Sequence, residues 1–135
     1  MRELILRTDG ASWGNPGPAG IGAVLEDTEG REVAALSEYI GTSTNNVAEY
    51  RALLAGMEKA LSLGCRKLTV YSDSQLLVRQ LKGEYAVRNA GLRPLYQRAL
   101  ALMAEFSNVN FQHVPREQNR RADELATAAI EAAAD

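Results

Sequence analysis

One cysteine, Cys65, and one histidine, His113, are too few for an intrachain disulfide or for a zinc site built on thiolates and imidazoles. Cys65 reads as a small residue at a strand start. No apolar run is long enough to span a bilayer, and no apolar leader opens the chain. A cytoplasmic protein without membrane contact is expected. Repeats, low-complexity runs and linkers are also missing, so residues 1–135 read as a single domain. Neither sign of charge dominates: 15 basic against 17 acidic residues give a net charge of -2. The overall basicity usual in nucleic-acid binders is therefore absent.

What is present is a core. Hydrophobic residues make up 46% of the chain and charged residues 24%, which excludes global disorder. The basic residues are bunched. Arg79, Lys82, Arg88, Arg93 and Arg98 occupy one stretch, and Arg116, Arg120 and Arg121 another.

The apolar pattern predicts a strand over 3–9, closed by Asp9, and a turn-rich loop over 11–20. Strands over 20–27 and 31–40 form a hairpin about Asp27-Thr28-Glu29-Gly30. From Asn46, the spacing of Tyr50, Leu53, Leu54, Met57, Ala60 and Leu61 is helical and ends at Gly64. A short strand over 67–71 follows, then a helix from about Ser74 to Gly83. A further helix begins near Ala90 with Pro94 in its first turn. A last strand covers 109–114. Asn119 is expected to cap a final helix that buries Ala122, Leu125, Ala126, Ala129 and Ile130. The order β-β-β-α-β-α-α-β-α predicts an α/β fold with a mixed sheet and helices on its faces.

Four acids lie at strand ends or near helix starts: Asp9, Glu49, Asp73 and Asp123. Each has a structural alternative. Asp9 can form a turn, Glu49 has capping-box spacing to Asn46, Asp73 can be an N-cap, and Asp123 can answer a helix dipole. Together they sit where open α/β sheets bind ligands. Oxygen-only ligands favour Mg²⁺ or Mn²⁺, and a pair of such ions can drive phosphodiester cleavage.

The segments Thr8-Asp9-Gly10, Gly14 to Gly20, Thr44 to Glu49, Ser72-Asp73-Ser74-Gln75 and Asn119 to Ala126 resemble ribonuclease H type 1, in order and over nearly the whole chain. The resemblance implies a ribonuclease H-like, five-stranded mixed β-sheet flanked by α-helices. It implies an endoribonuclease that hydrolyses the RNA strand of RNA–DNA hybrids and leaves 5′-phosphate and 3′-hydroxyl ends. It further implies two Mg²⁺ ions per site, with Mn²⁺ as a substitute, held by Asp9, Glu49, Asp73 and Asp123. Substrate contacts are carried over to Gly10, Ser12, Asn15, Thr44, Asn45, Asn46, Gln75, Arg116 and Asn119. The expected partner is an RNA–DNA hybrid. Duplex RNA is left open as a second substrate, and a monomer is expected.

The chain departs from the pattern in two places. Many bacterial members carry a basic, tryptophan-rich insertion where only Gly83 to Asn89 stands here, so the chain resembles the shorter branch. Hybrid affinity is then weaker, or rests on Arg88, Arg93 and the final helix, unless those arginines are only a solvated face. The family often has a histidine in a flexible loop before the last acid. His113 falls toward a strand end and reads as structural, with Arg116 or Glu117 nearer the site. Two other readings stay open: a silent binding domain, which would have lost an acid, and a junction resolvase or transposase core of the same superfamily.

Overall fold

The computed structural model describes residues 2–134. Its elements are β1 (Glu3–Ser12), β2 (Gly17–Glu26), β3 (Glu32–Ser43), α1 (Asn45–Ser62), β4 (Lys67–Ser72), α2 (Gln75–Leu81), α3 (Arg93–Met103), β5 (Asn108–His113) and α4 (Arg120–Ala134), with a 3₁₀ turn at Arg116–Gln118. The sheet runs β3-β2-β1-β4-β5. β2 is antiparallel to β1 and β3, whereas β1, β4 and β5 are parallel. The expected mixed sheet is therefore present. β1 is central, flanked by an antiparallel hairpin and a parallel crossover.

One face of the sheet buries Leu4, Leu6, Leu68 and Val70 against Tyr50, Leu53 and Met57 of α1 and Leu102 of α3. Burial of such side chains contributes about 1.5–3 kcal/mol each. The opposite face is covered by α4, whose Ala122, Ala126, Ala129 and Ile130 are buried on β2 and β3. Leu125, expected on that buried side, is only half-buried.

α1 ends as its sequence predicts. Gly64 takes φ +80, its N–H donates to the Leu61 carbonyl, and the Cys65 N–H donates to the Ala60 carbonyl. This is the paired-bond stop that favours glycine. Cys65 itself is buried and free of disulfide bonding.

Several boundaries differ from expectation. β1 continues through Asp9 to Ser12 and β2 starts at Gly17, so the loop shrinks to residues 13–16. Of the glycines that suggested a loop, Gly17 and Gly20 are strand residues, packed against the Trp13 carbonyl and α4, while Gly14 stays in the loop. α1 is capped by Thr44, whose hydroxyl accepts from the Val47 N–H at 3.2 Å, rather than by Asn46. α3 starts at Arg93, because Asn89 closes a separate turn by accepting from the Gly91 N–H at 2.7 Å.

Candidate active site

Asp9 lies inside β1, paired with Gly22 of β2. On its other side the parallel pairing to β4 ends at Thr8↔Ser72. Asp73 leaves the sheet one residue later, beside Asp9. Ser74, not Asp73, caps α2 by accepting from the Leu77 N–H at 3.2 Å, so the Asp73 carboxylate is not spent on the cap. Glu49 stands beyond the first turn of α1, and its Oε1 accepts from the Gly10 N–H of β1. That bond needs α1 to touch β1. A Cβ on Gly10 would lie 2.3 Å from the Ala48 carbonyl carbon, so glycine is what admits the helix. The result is a group in which Asp9, Glu49 and Asp73 each offer a carboxylate oxygen, all within 4.8 Å of one another.

Asp123 enters from the other face, in the first turn of α4. It lies outside that group of three. Its Oδ2 is 3.9 Å from Nη2 of Arg116, and its carboxyl lies beside Asp9. α4 comes this close because Gly22 is bare. A Cβ there would sit 2.1 Å from the Ala122 carbonyl oxygen.

The electrostatics are those of unneutralised carboxylates. Burial pushes Asp9 far above the usual carboxylate range, and the charge of Glu49, the closeness of the Asp123 carboxyl and the charge of Asp73 push the same way. Burial also raises Glu49, opposed by the Gly10 N–H and assisted by the charge of Asp73. An all-oxygen, desolvated donor set in which like charges crowd fits a hard divalent cation, which removes the repulsion. The carboxylates open into a cleft of about 410 Å³ whose walls include Gly10, Ser12, Trp13, Asn45, Arg116 and Asp123.

A protein-family model described as reverse transcriptase-like matches residues 7–129. The ribonuclease H of Desulforamulus reducens is 36% identical over 145 residues, covering 96% of this chain and 88% of that protein. The chain belongs to the ribonuclease H family. A bifunctional protein of Mycobacterium tuberculosis is 45% identical over 133 residues, covering 98% of this chain. This chain spans only 36% of that protein's length. Among solved structures, LC11-RNase H1 in complex with an RNA/DNA hybrid matches with TM-score 0.94 at 42% identity, covering 98% of this chain and 99% of that one.

This ribonuclease H domain places the expected substrate residues unevenly. Gly10, Ser12, Asn45 and Arg116 line the cleft. The Ser12 hydroxyl also donates to the Ser43 carbonyl at 2.8 Å, and the Asn15 Oδ1 accepts from the Asn45 N–H at 3.0 Å. Together these bonds tie the β1–β2 loop to the start of α1. Thr44 is the α1 cap, and Asn46 and Gln75 are exposed near the starts of α1 and α2. Asn119 is buried instead of facing the cleft. Its Nδ2 donates to the Thr8 carbonyl at 2.8 Å, and its Oδ1 has no partner. Its side chain therefore pins the α4 entry to β1 instead of capping the helix.

His113 is exposed at the end of β5, level with Ser72. It does not line the cleft, whereas Arg116 does. Sequence reasoning passed over Trp13 and Thr127, which line the cleft. It also passed over Arg7, whose Nε donates to Glu26 at 2.7 Å and whose Nη1 donates to the Gln118 carbonyl at 3.2 Å. Arg7 thereby braces the turn that carries Arg116. Its guanidinium lies 4.8 Å from the Tyr71 ring centroid, a cation–π contact.

Proposed function

We propose that this domain hydrolyses the RNA strand of RNA–DNA hybrids, leaving 5′-phosphate and 3′-hydroxyl ends. The observation that carries the proposal is the convergence of Asp9, Glu49 and Asp73 oxygens within 4.8 Å, with Asp123 beside them. Those four acids would hold two Mg²⁺ ions, with Mn²⁺ able to substitute. When bound, the ions supply charge neutralisation at the phosphate and a more acidic water.

The chain's own groups do the rest. Gly10 fixes Glu49 through its N–H, which leaves the other carboxylate oxygen to accept from a ribose 2′-hydroxyl, the group that separates RNA from DNA. Arg116 is exposed at the rim and supplies positive charge for a phosphate. Asn45, held through its backbone by Asn15, keeps its side-chain amide for the minor groove. Asn46 and Gln75 extend that surface, and Thr44 holds the end of α1 beneath it. No helix of the described residues is long and apolar enough to cross a membrane. We further propose that the domain acts as a cytoplasmic monomer.

The test sets strand-labelled hybrid beside duplex RNA and a four-way DNA junction and maps the product ends. Nicks confined to the RNA strand of the hybrid, each bearing a 5′-phosphate, are expected. Junction cleavage with the hybrid intact would move the domain to a resolvase-like role.

A further inference from the structure

Trp13 is the only tryptophan of the chain, and it is 49% exposed. Singly exposed aromatics are common on protein surfaces and need no function. Three observations set this one apart. It lines the cleft that holds Asp9, Glu49 and Asp73. Its indole N–H has no hydrogen-bond partner among the described residues. Its backbone is held from several sides: the Trp13 N–H donates to the Pro18 carbonyl at 2.8 Å, and the Trp13 carbonyl oxygen lies where a Cβ on Gly17 would be, 2.3 Å away. Ser12 and Asn15, on either side, are bonded to Ser43 and Asn45. A rigid loop thus presents a large apolar ring and a free donor at the mouth of the site. The other strongly exposed aromatics differ. Tyr39 lies on edge strand β3, and Tyr85 is engaged by Arg79 at 5.2 Å. Neither lines the cleft.

We propose that Trp13 is a substrate-contact residue whose indole packs on the sugar–phosphate backbone of the RNA strand crossing the cleft. This rests on the hybrid-cleaving function proposed above. The strand within its reach is the one presented to the carboxylates, hence the RNA. In a duplex the base faces are stacked on one another, so a ring at the groove edge meets ribose C–H faces. Its N–H donates to a phosphate oxygen or a 2′-hydroxyl. Such a contact strengthens binding without reading sequence. Aromatic anchors at rigid, partly enclosed positions are where binding energy concentrates.

The test uses Trp13→Ala and Trp13→Phe in the cleavage assay, with melting curves to confirm folding. Trp13→Ala is expected to raise KM about tenfold with kcat within about twofold, and Trp13→Phe to restore most of the loss. Because the ring carries no charge, the salt dependence of KM stays as in the parent. In parallel, Asp9→Asn protein, which retains Trp13 as its sole indole, is titrated with hybrid. Its emission is expected to change in step with binding followed by anisotropy of a labelled hybrid. A KM for Trp13→Ala within about twofold of the parent overturns the inference, whatever the emission does. A raised KM with unchanged emission also overturns it, since the defect then lies in a displaced loop. Parent protein that neither binds nor cuts hybrid overturns the functional proposal as well, whereas the two former results leave that proposal standing.

Discussion

Asp9 carries the sharpest conflict between burial and charge. It is 7% exposed, and its neighbours are acids. Asp9→Asn or Asp73→Asn is expected to lower hybrid cleavage by about a thousandfold or more while leaving the fold intact. Near-normal turnover in either variant, at unchanged circular dichroism, would remove them from the site. Asp9→Asn also removes an unneutralised buried carboxylate, so the metal-free variant should melt several degrees above the parent at neutral pH. The sign for the parent follows from the same shifts. Asp9 and Glu49 are both raised in the folded state, Glu49 to about 7. Their contribution to stability is complete below the ordinary carboxylate range, near pH 4, and is lost as pH rises through the raised values. Metal-free Tm should therefore fall from about pH 4 through pH 7 and on toward about pH 10, the value to which Asp9 is raised, and added Mg²⁺ should raise Tm most at the high end. His113→Ala, at an exposed strand end, should change turnover only modestly, and a hundredfold fall in a folded variant would contradict that placement. The structural alternatives for Glu49 and Asp73 were not decidable from residue types alone. Whether Thr44 or Asn46 caps α1, and whether Ser74 or Asp73 caps α2, turns on one or two residues of register. Glu49 and Asp73 become available for metal only because Thr44 and Ser74 take the caps.

At the scale of elements, two close approaches assemble the site. α1 meets β1 at Gly10, and α4 meets β2 at Gly22. In Gly22→Ala the new Cβ would lie 2.1 Å from a backbone carbonyl oxygen of α4, and only a lift of the helix relieves that. A loss of about 1–3 kcal/mol is expected in chemical denaturation, with weaker cleavage because Asp123 moves with α4. Unchanged stability would show that α4 does not rest on β2 as described. Helices, the β2–β3 hairpin and the stop at Gly64 were legible because apolar periodicity and punctuation are local. The strand identity of residues 17–20 was not. Gly17, Gly20 and Pro18 carry loop-like composition, but the two glycines are there for space beneath Trp13 and α4. The start of α3 was hidden likewise, since an Asx turn at Asn89 looks helical in sequence.

For the whole molecule, chain order and the family-like segments foretold a mixed sheet. The strand order that puts β1 between an antiparallel and a parallel neighbour comes from long-range pairing. That order brings Asp9, Asp73 and the start of α4 to one edge of the cleft. The net charge of -2 counts poorly as evidence here, because four of the 17 acidic residues converge on the site while Arg116 stands exposed at its rim. Arg116→Ala should weaken hybrid binding and reduce the slope of log affinity against log salt by about 1, the signature of one phosphate contact. An unchanged slope would place Arg116 off the substrate path. The central claim is that the carboxylate cluster holds divalent metal to cut RNA in a hybrid. Its most direct test is cleavage of a strand-labelled RNA–DNA hybrid in Mg²⁺, in Mn²⁺ and in EDTA, with duplex DNA alongside. Cutting of the RNA strand in either metal, none in EDTA and none of the DNA is the predicted result. Cutting that persists in EDTA, or binding of hybrid without cutting in both metals, would contradict the account.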